Sequence, residues 1–129
     1  MKTLQSLLGT FRVDQATHDA LVHRTAEALS YNGNSDIHAD VPGYITPARI
    51  FWRRTNEGHV PDVTAGRFII EVETERSLDL EHTRSQCELF SAFAQEHDRT
   101  FVVVVPLGYK GRMEWQLVDW LITATVWEM

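Results

Sequence analysis

The sequence predicts a single α/β (α+β) domain with a central mixed β-sheet flanked by helices, in the order α-β-β-β-α-β-α-β. Three observations carry this. Phe68 to Thr74 reads as a strand that is apolar on both faces at its start, as a central strand should be. Phe101 to Val105 is a continuous apolar run ended by Pro106, which reads as a second buried strand. Between them a helix begins at Ser77 to Leu80 and runs to about His97. Thr83, Cys87, Phe90, Ala94 and His97 form its inward stripe, and Phe93 widens it. A helix joining two buried strands predicts that they pair in parallel.

The remaining elements follow in chain order. Residues 1–13 form an extension in which Leu4, Leu7 and Leu8 would make a short helix docked on the body. Asp14 is the expected cap of a helix running to about Ser30. Leu21, Thr25, Ala28 and Leu29 share one face of it, and Asn32-Gly33-Asn34 ends it. Ile37, Ala39 and Val41 alternate with His38 and Asp40 as a strand does, and Pro42-Gly43 is a turn. Ala48 to Arg54 is the next expected strand, with Ile50 and Trp52 on one face, and Thr55 to Gly58 has turn chemistry. After Pro106, Gly108 and Gly111 bracket a loop. Met113 to Leu121 reads as a helix and Thr123 to Trp127 as a closing strand, since Thr123, Thr125 and Val126 are β-branched.

A chain of 129 residues suits one domain, 1–129. Its single cysteine, Cys87, leaves no disulfide framework and no cysteine-built zinc site, which suits the cytoplasm. No apolar run is long enough to cross a bilayer and no signal-peptide pattern follows Met1, so no membrane role is expected. The formal net charge of −6 provides no global attraction to nucleic acid, so any such binding needs a local basic patch. The only lysines are Lys2 and Lys110.

The acidic residues carry the most chemistry. Glu71 and Glu73 lie two apart on the expected central strand and so share a face, with Cα atoms roughly 6.6 Å apart. Asp62 precedes Glu71 across a loop containing Gly66, and a hairpin-like return would bring the two side by side. Converging carboxylates repel unless a cation lies between them, and hard oxygen ligands favour Mg2+ or Mn2+. The plainer alternative is a solvated strand end. Against it stands the cost of an unpaired carboxylate in a central strand.

Pro61-Asp62, a short gap and Glu71-Val72-Glu73, set between helices and strands, resemble the PD-(D/E)XK nuclease superfamily and its restriction-endonuclease-like fold. The resemblance spans residues 14 to 127 and is nearest to the Holliday-junction resolvases and small nuclease domains. It implies that Asp62 and Glu71 hold Mg2+, helped by the Val72 carbonyl, and that the metal acidifies a bound water. Glu73 would orient or deprotonate that water, and a phosphodiester bond in DNA would be hydrolysed. Gln86-Cys87-Glu88-Leu89-Phe90 resembles the Gln-x-x-x-Tyr element of RecB-like relatives, with Phe90 in place of tyrosine. That implies a place for Gln86 near the metal; otherwise Gln86 merely borders the core stripe. Relatives of the resolvase and restriction type often form homodimers.

The departure from the family is Glu73, which stands where its lysine belongs. No lysine lies between Lys2 and Lys110 to replace it, and Arg76 or Arg84 would bring charge but accept protons poorly. Some family members carry glutamate at this position and remain active. The alternative is a catalytically inactive module that binds nucleic acid or serves in protein assembly; a third is a regulatory protein with a chance motif.

Four further groups of residues bear on the site. The family often adds an acid from the first helix, for which Asp19 and Glu27 are the choices; both also fit a solvated helix face. His59 and His82 lie close enough in sequence to approach the acids. Arg49, Arg53 and Arg54 with Trp52 would grip a phosphate backbone and stack on a base, unless Trp52 belongs to the core. Arg84 is a fourth candidate for nucleic-acid contact.

Overall fold

The computed structural model describes residues 4–129, with side chains described from Asp14 onward. Three helices and seven strands follow one another among these residues: α1 (Leu4–Tyr31), β1 (His38–Ala39), β2 (Ile50–Phe51), β3 (Gly58–His59), β4 (Val63–Ala65), β5 (Phe68–Val72), α2 (Glu81–Glu96), β6 (Thr100–Val105), α3 (Lys110–Asp119) and β7 (Thr125–Glu128). Five strands make a mixed sheet in the order β1-β4-β5-β6-β7, and β2 pairs with β3 apart from it.

The registers follow from the connections. β4 and β5 form a hairpin closed by Ala65 opposite Phe68, which leaves Gly66-Arg67 as its loop. Gly66 has φ 55°, the positive value that a two-residue hairpin of this kind demands at its first loop position. β5, β6 and β7 run parallel, joined by α2 and α3. The strands advance in one direction across the sheet and such crossovers are right-handed, so α2 and α3 lie on the same face.

Alternation along the strands therefore builds two cores. Ile69, Phe101, Val103, Val105 and Val126 face Cys87, Leu89 and Phe90 of α2 and Met113 and Leu117 of α3. Ile70, Val72, Val102 and Val104 face Leu21, Val22, Ala26 and Leu29 of α1. β5 and β6 are buried on both sides, as their composition requires.

Several expectations change. The first helix does not start at Asp14 but runs through it from Leu4. Gly9 and Thr10 are tolerated inside a helix, and no proline interrupts it. Whether Leu4, Leu7 and Leu8 dock on the body lies outside the described side chains. The strand expected over 48–54 shrinks to Ile50–Phe51 and leaves the main sheet. Its partner is Gly58–His59, in part of the segment read as a turn. Gly58 has to be glycine there: a Cβ would lie 2.3 Å from the Ile50 carbonyl oxygen. Two extra strands thus enter the element order. Ile50 is buried while Trp52 beyond it is exposed, so they do not share a covered face. The second helix starts later, at Glu81, and His97 is exposed beyond its end instead of closing the inward stripe. α3 begins three residues early, and Leu121, at φ 60°, lies outside it.

Candidate functional site

The β4–β5 ladder stops one rung short of the acids, and the reason lies in the sequence. Pro61 has no N–H to give, so the pairing beyond Val63–Ile70 passes to side chains. The Asp62 amide donates to Glu71 Oε1 at 3.0 Å, and the Val72 amide donates to Asp62 Oδ2 at 2.8 Å. Each acid thus holds a backbone donor that the ladder would otherwise have used. On its other side Asp62 accepts, through its carbonyl, the Asp40 amide at the end of β1.

Glu71 and Glu73 continue the face of Ile69 and point toward α2. The Glu73 amide still pairs with the Val104 carbonyl, so this residue prolongs the strand although β5 formally ends at Val72. Ser77 Oγ donates to Glu73 Oε2 at 2.5 Å, and Thr83 Oγ1 of α2 lies 3.4 Å from the same oxygen. Asp62, Glu71 and Glu73 are only 9%, 2% and 4% exposed. Neither of the two largest clefts, about 560 and 580 Å3, is lined by them.

From the opposite face, α1 supplies His18. Its Nε2 lies 3.2 Å from Asp62 Oδ2, and its Nδ1 lies 3.1 Å from Asp19 Oδ1. A second α1 residue, Asp14, accepts a hydrogen bond from Thr74 Oγ1 at 2.8 Å just past β5. The site is therefore the place where both helical layers meet at the end of the sheet.

The electrostatics follow from this crowding. Burial raises the Glu71 pKa well above the usual carboxylate value, and the charges of Asp62 and Glu73 raise it further. A side-chain hydrogen bond with Asp62 acts in the same direction, while the Asp62 amide on Glu71 acts against it. Burial likewise raises Glu73 to about 8, against hydrogen bonds from Ser77 and Thr83 that favour its charge. For His18, burial opposes protonation. The hydrogen bond and charge of Asp62, with Asp19 and the Glu73 charge, outweigh it and hold the ring at about 9. The cluster thus sets a His18 ring of raised pKa beside Asp62 and holds both glutamates above the usual carboxylate range. Burial and the charges of Glu73 and Glu71 also push the nearby Cys87 thiol up, which leaves it inert.

Among the acids, then, Asp62, Glu71 and Glu73 meet as the sequence suggests. Val72 lies between the two glutamates with its amide on Asp62. Gln86 is half-buried and makes no hydrogen bond among the described residues; Thr83, one turn earlier, is the α2 side chain that reaches Glu73. Asp19 touches the site only through His18, and Glu27 is exposed. His59 turns to His82, at 5.4 Å between rings, and to Phe90. Arg84 is tied to Glu88 at 3.0 Å and Glu81 at 4.0 Å on its own helix. Arg53 and Arg54 are exposed in the β2–β3 connection, and Arg49 Nη2 donates to the Asn56 carbonyl at 2.6 Å. The residue that sequence reasoning passed over is His18. A signal for it existed, because it precedes Leu21, Val22 and Thr25 by three, four and seven positions and so lies on the inward face of α1.

No set of three or more His, Cys, Asp or Glu side chains is arranged as a ready metal site among the described residues. No helix among them is long and apolar enough to cross a membrane. Comparison with protein-family models, with curated proteins and with solved structures gives no match to this chain.

Proposed function

We propose that this protein is a Mg2+- or Mn2+-dependent nuclease of PD-(D/E)XK type, with a restriction-endonuclease-like fold, acting on phosphodiester bonds in DNA. The observation that carries the reading is the convergence of Asp62, Glu71 and Glu73, three buried carboxyls, at the end of a central strand. Nothing about the stability of a sheet calls for three acids there, since burying and crowding them is costly.

The donor set fits a hard divalent cation in its chemistry: carboxyl oxygens of Asp62 and Glu71, with Glu73 adjoining. A cation held there would stabilise charge on a phosphate and make a bound water acidic. The protein's own residues do the rest. Glu73, held at about 8, is tuned near neutral pH for exchanging a proton with a water. Ser77 and Thr83 fix the direction of its carboxyl. His18 brings to the site the positive charge that the absent lysine does not. Arg49 just before β2, with Arg53 and Arg54 in the β2–β3 connection, would meet phosphates. A buried, unbridged Cys87 suits the cytoplasm, and the homodimer common among resolvase-like proteins belongs to the same proposal.

One observation favours the second reading, an inactive relative that binds or assembles. His18 already pairs with Asp62, and Ser77 already donates to Glu73, so these acids have partners without a metal. Two measurements separate the readings. Calorimetric titration with Mn2+ should show binding that Asp62→Asn weakens at least tenfold. Labelled DNA substrates incubated with Mg2+ or Mn2+ should be cut by the wild type and not by Asp62→Asn. Absence of both signals overturns the nuclease reading and selects the inactive relative, and cleavage that persists unchanged in Asp62→Asn overturns the site.

A further inference from the structure

The β2–β3 hairpin stands outside the main sheet and packs on α2, leaving a cleft of about 400 Å3 between them. One wall is the hairpin, with Arg49, Phe51, Trp52 and Arg53. The other is the C-terminal half of α2 and its end, with Phe93, Glu96 and His97. Phe51 and Trp52 are 47% and 41% exposed, unusual for aromatic rings with a cleft beside them. On the facing wall the Phe93 and His97 rings lie 4.1 Å apart between centroids, tilted by 34°. The cleft is thus lined by aromatic rings on both sides.

Its charge is equally particular. Arg49, Arg53 and Arg54 enter no ion pair among the described residues, whereas Arg84 and Arg112 do. Arg49 is held in place over the Phe51 ring at 5.5 Å and by the Asn56 carbonyl. The acids nearby are Glu57 in the hairpin and Glu96 on the far wall, so the arginines outnumber them. In a chain of net charge −6 this is a local cationic rim around an aromatic slot. Rings that accept a base between them, edged by guanidinium groups that meet its phosphates, are the recurrent solution for single strands.

We propose that this cleft is a subsite for single-stranded DNA, which inserts an unpaired base between Trp52 and the Phe93–His97 pair. A paired base keeps its π-faces against its neighbours and cannot enter, so the subsite selects single-stranded or branched DNA over continuous duplex. This rests on the nuclease reading only for its direction. Thr83 touches Glu73 near the start of α2 and Phe93 lies ten residues further along the helix, so a strand leaving the cleft has roughly 15 Å to travel along α2 to the acids.

The test is performed in EDTA, so that neither metal nor cleavage enters. Fluorescence anisotropy of a labelled oligothymidylate should report binding that weakens as salt rises. Trp52→Ala and Phe93→Ala should each weaken it between fivefold and a hundredfold, in line with about 1–3 kcal/mol per stacked base. Trp52→Phe should restore most of it, and a duplex of equal length should bind at least tenfold more weakly. Circular dichroism serves as the fold control for each variant. Absence of oligothymidylate binding, equal affinity for duplex, or binding by Trp52→Ala at wild-type strength would each overturn the proposal. Loss of cleavage with base-dependent binding intact would instead count against the acid cluster alone.

Discussion

The acid cluster and the β2–β3 hairpin sit three residues apart in sequence and are opposites in construction. The acids are closed in, with both helical layers over them, and they are partnered from inside by His18 and Ser77. The hairpin is open, held by two strand residues on each side and a packing contact with α2, and its arginines are balanced by little. The difference teaches that exposure decides what each region could do. A water-facing arm can meet a large ligand at small cost. Groups whose protonation must be tuned need the dry, fixed end of a sheet.

The comparison is sharpened most by pH. A carboxyl whose pKa is raised by folding contributes stability that is whole below its unfolded value of 4.5, and Glu73 loses that contribution as pH climbs to about 8. Glu71 acts in the same direction. The His18 contribution is whole below 6.5 and is lost as pH rises through about 9. All three run the same way, each at up to about 1.4 kcal/mol per pH unit. Urea denaturation without metal should therefore show stability falling steadily between pH 5 and pH 9, by at least about 4 kcal/mol, which is the share of Glu73 alone over about three pH units. Glu73→Gln should remove a large part of the slope; an unchanged slope would mean that Glu73 is solvated.

Next in size is Asp62→Ala, which strands the Val72 amide and the His18 ring. It should cost about 2–3 kcal/mol at pH 7, measured by urea denaturation, with Asp62→Asn costing less. Gly58→Ala should break the other region. Its methyl would collide with the Ile50 carbonyl and Phe51, forcing the hairpin apart for about 1–3 kcal/mol. Trp52 emission should shift to the red while the pH dependence of the acid cluster stays. Arg84→Ala should be the smallest effect, under about 0.5 kcal/mol in thermal denaturation, because its partners are exposed glutamates on its own helix.

The two regions also differ in how far the sequence disclosed them. The acids were legible because a period of two places Glu71 and Glu73 on one face and because Gly66 marks the hairpin that returns Asp62 to Glu71. The parallel pairing of β5 and β6 was legible in the same way, from apolar runs separated by a helix. The hairpin was not. Ile50–Phe51 and Gly58–His59 are too short to show a period, and turn residues such as Asn56 and Gly58 mask a strand whose glycine serves close packing. For His18 the helical spacing discloses an inward face but not its partner: α1 brings it to the acids across the sheet end, 44 positions from Asp62, through tertiary structure. The third-layer contacts of Ser77 and Thr83 with Glu73 are of the same kind.

The exchange of backbone donors between Asp62 and Glu71 has one more consequence. In most of a sheet, an amide proton is guarded by the neighbouring strand and reaches solvent only when strands separate. The Asp62 and Val72 amides are guarded by two carboxyl groups instead. Anything that draws those oxygens away, a cation included, leaves the two amides open to deuterium while Ile70 and Val102 stay sealed in the ladder. The chain thus carries its own two-point gauge, readable amide by amide, of what occupies the end of its sheet.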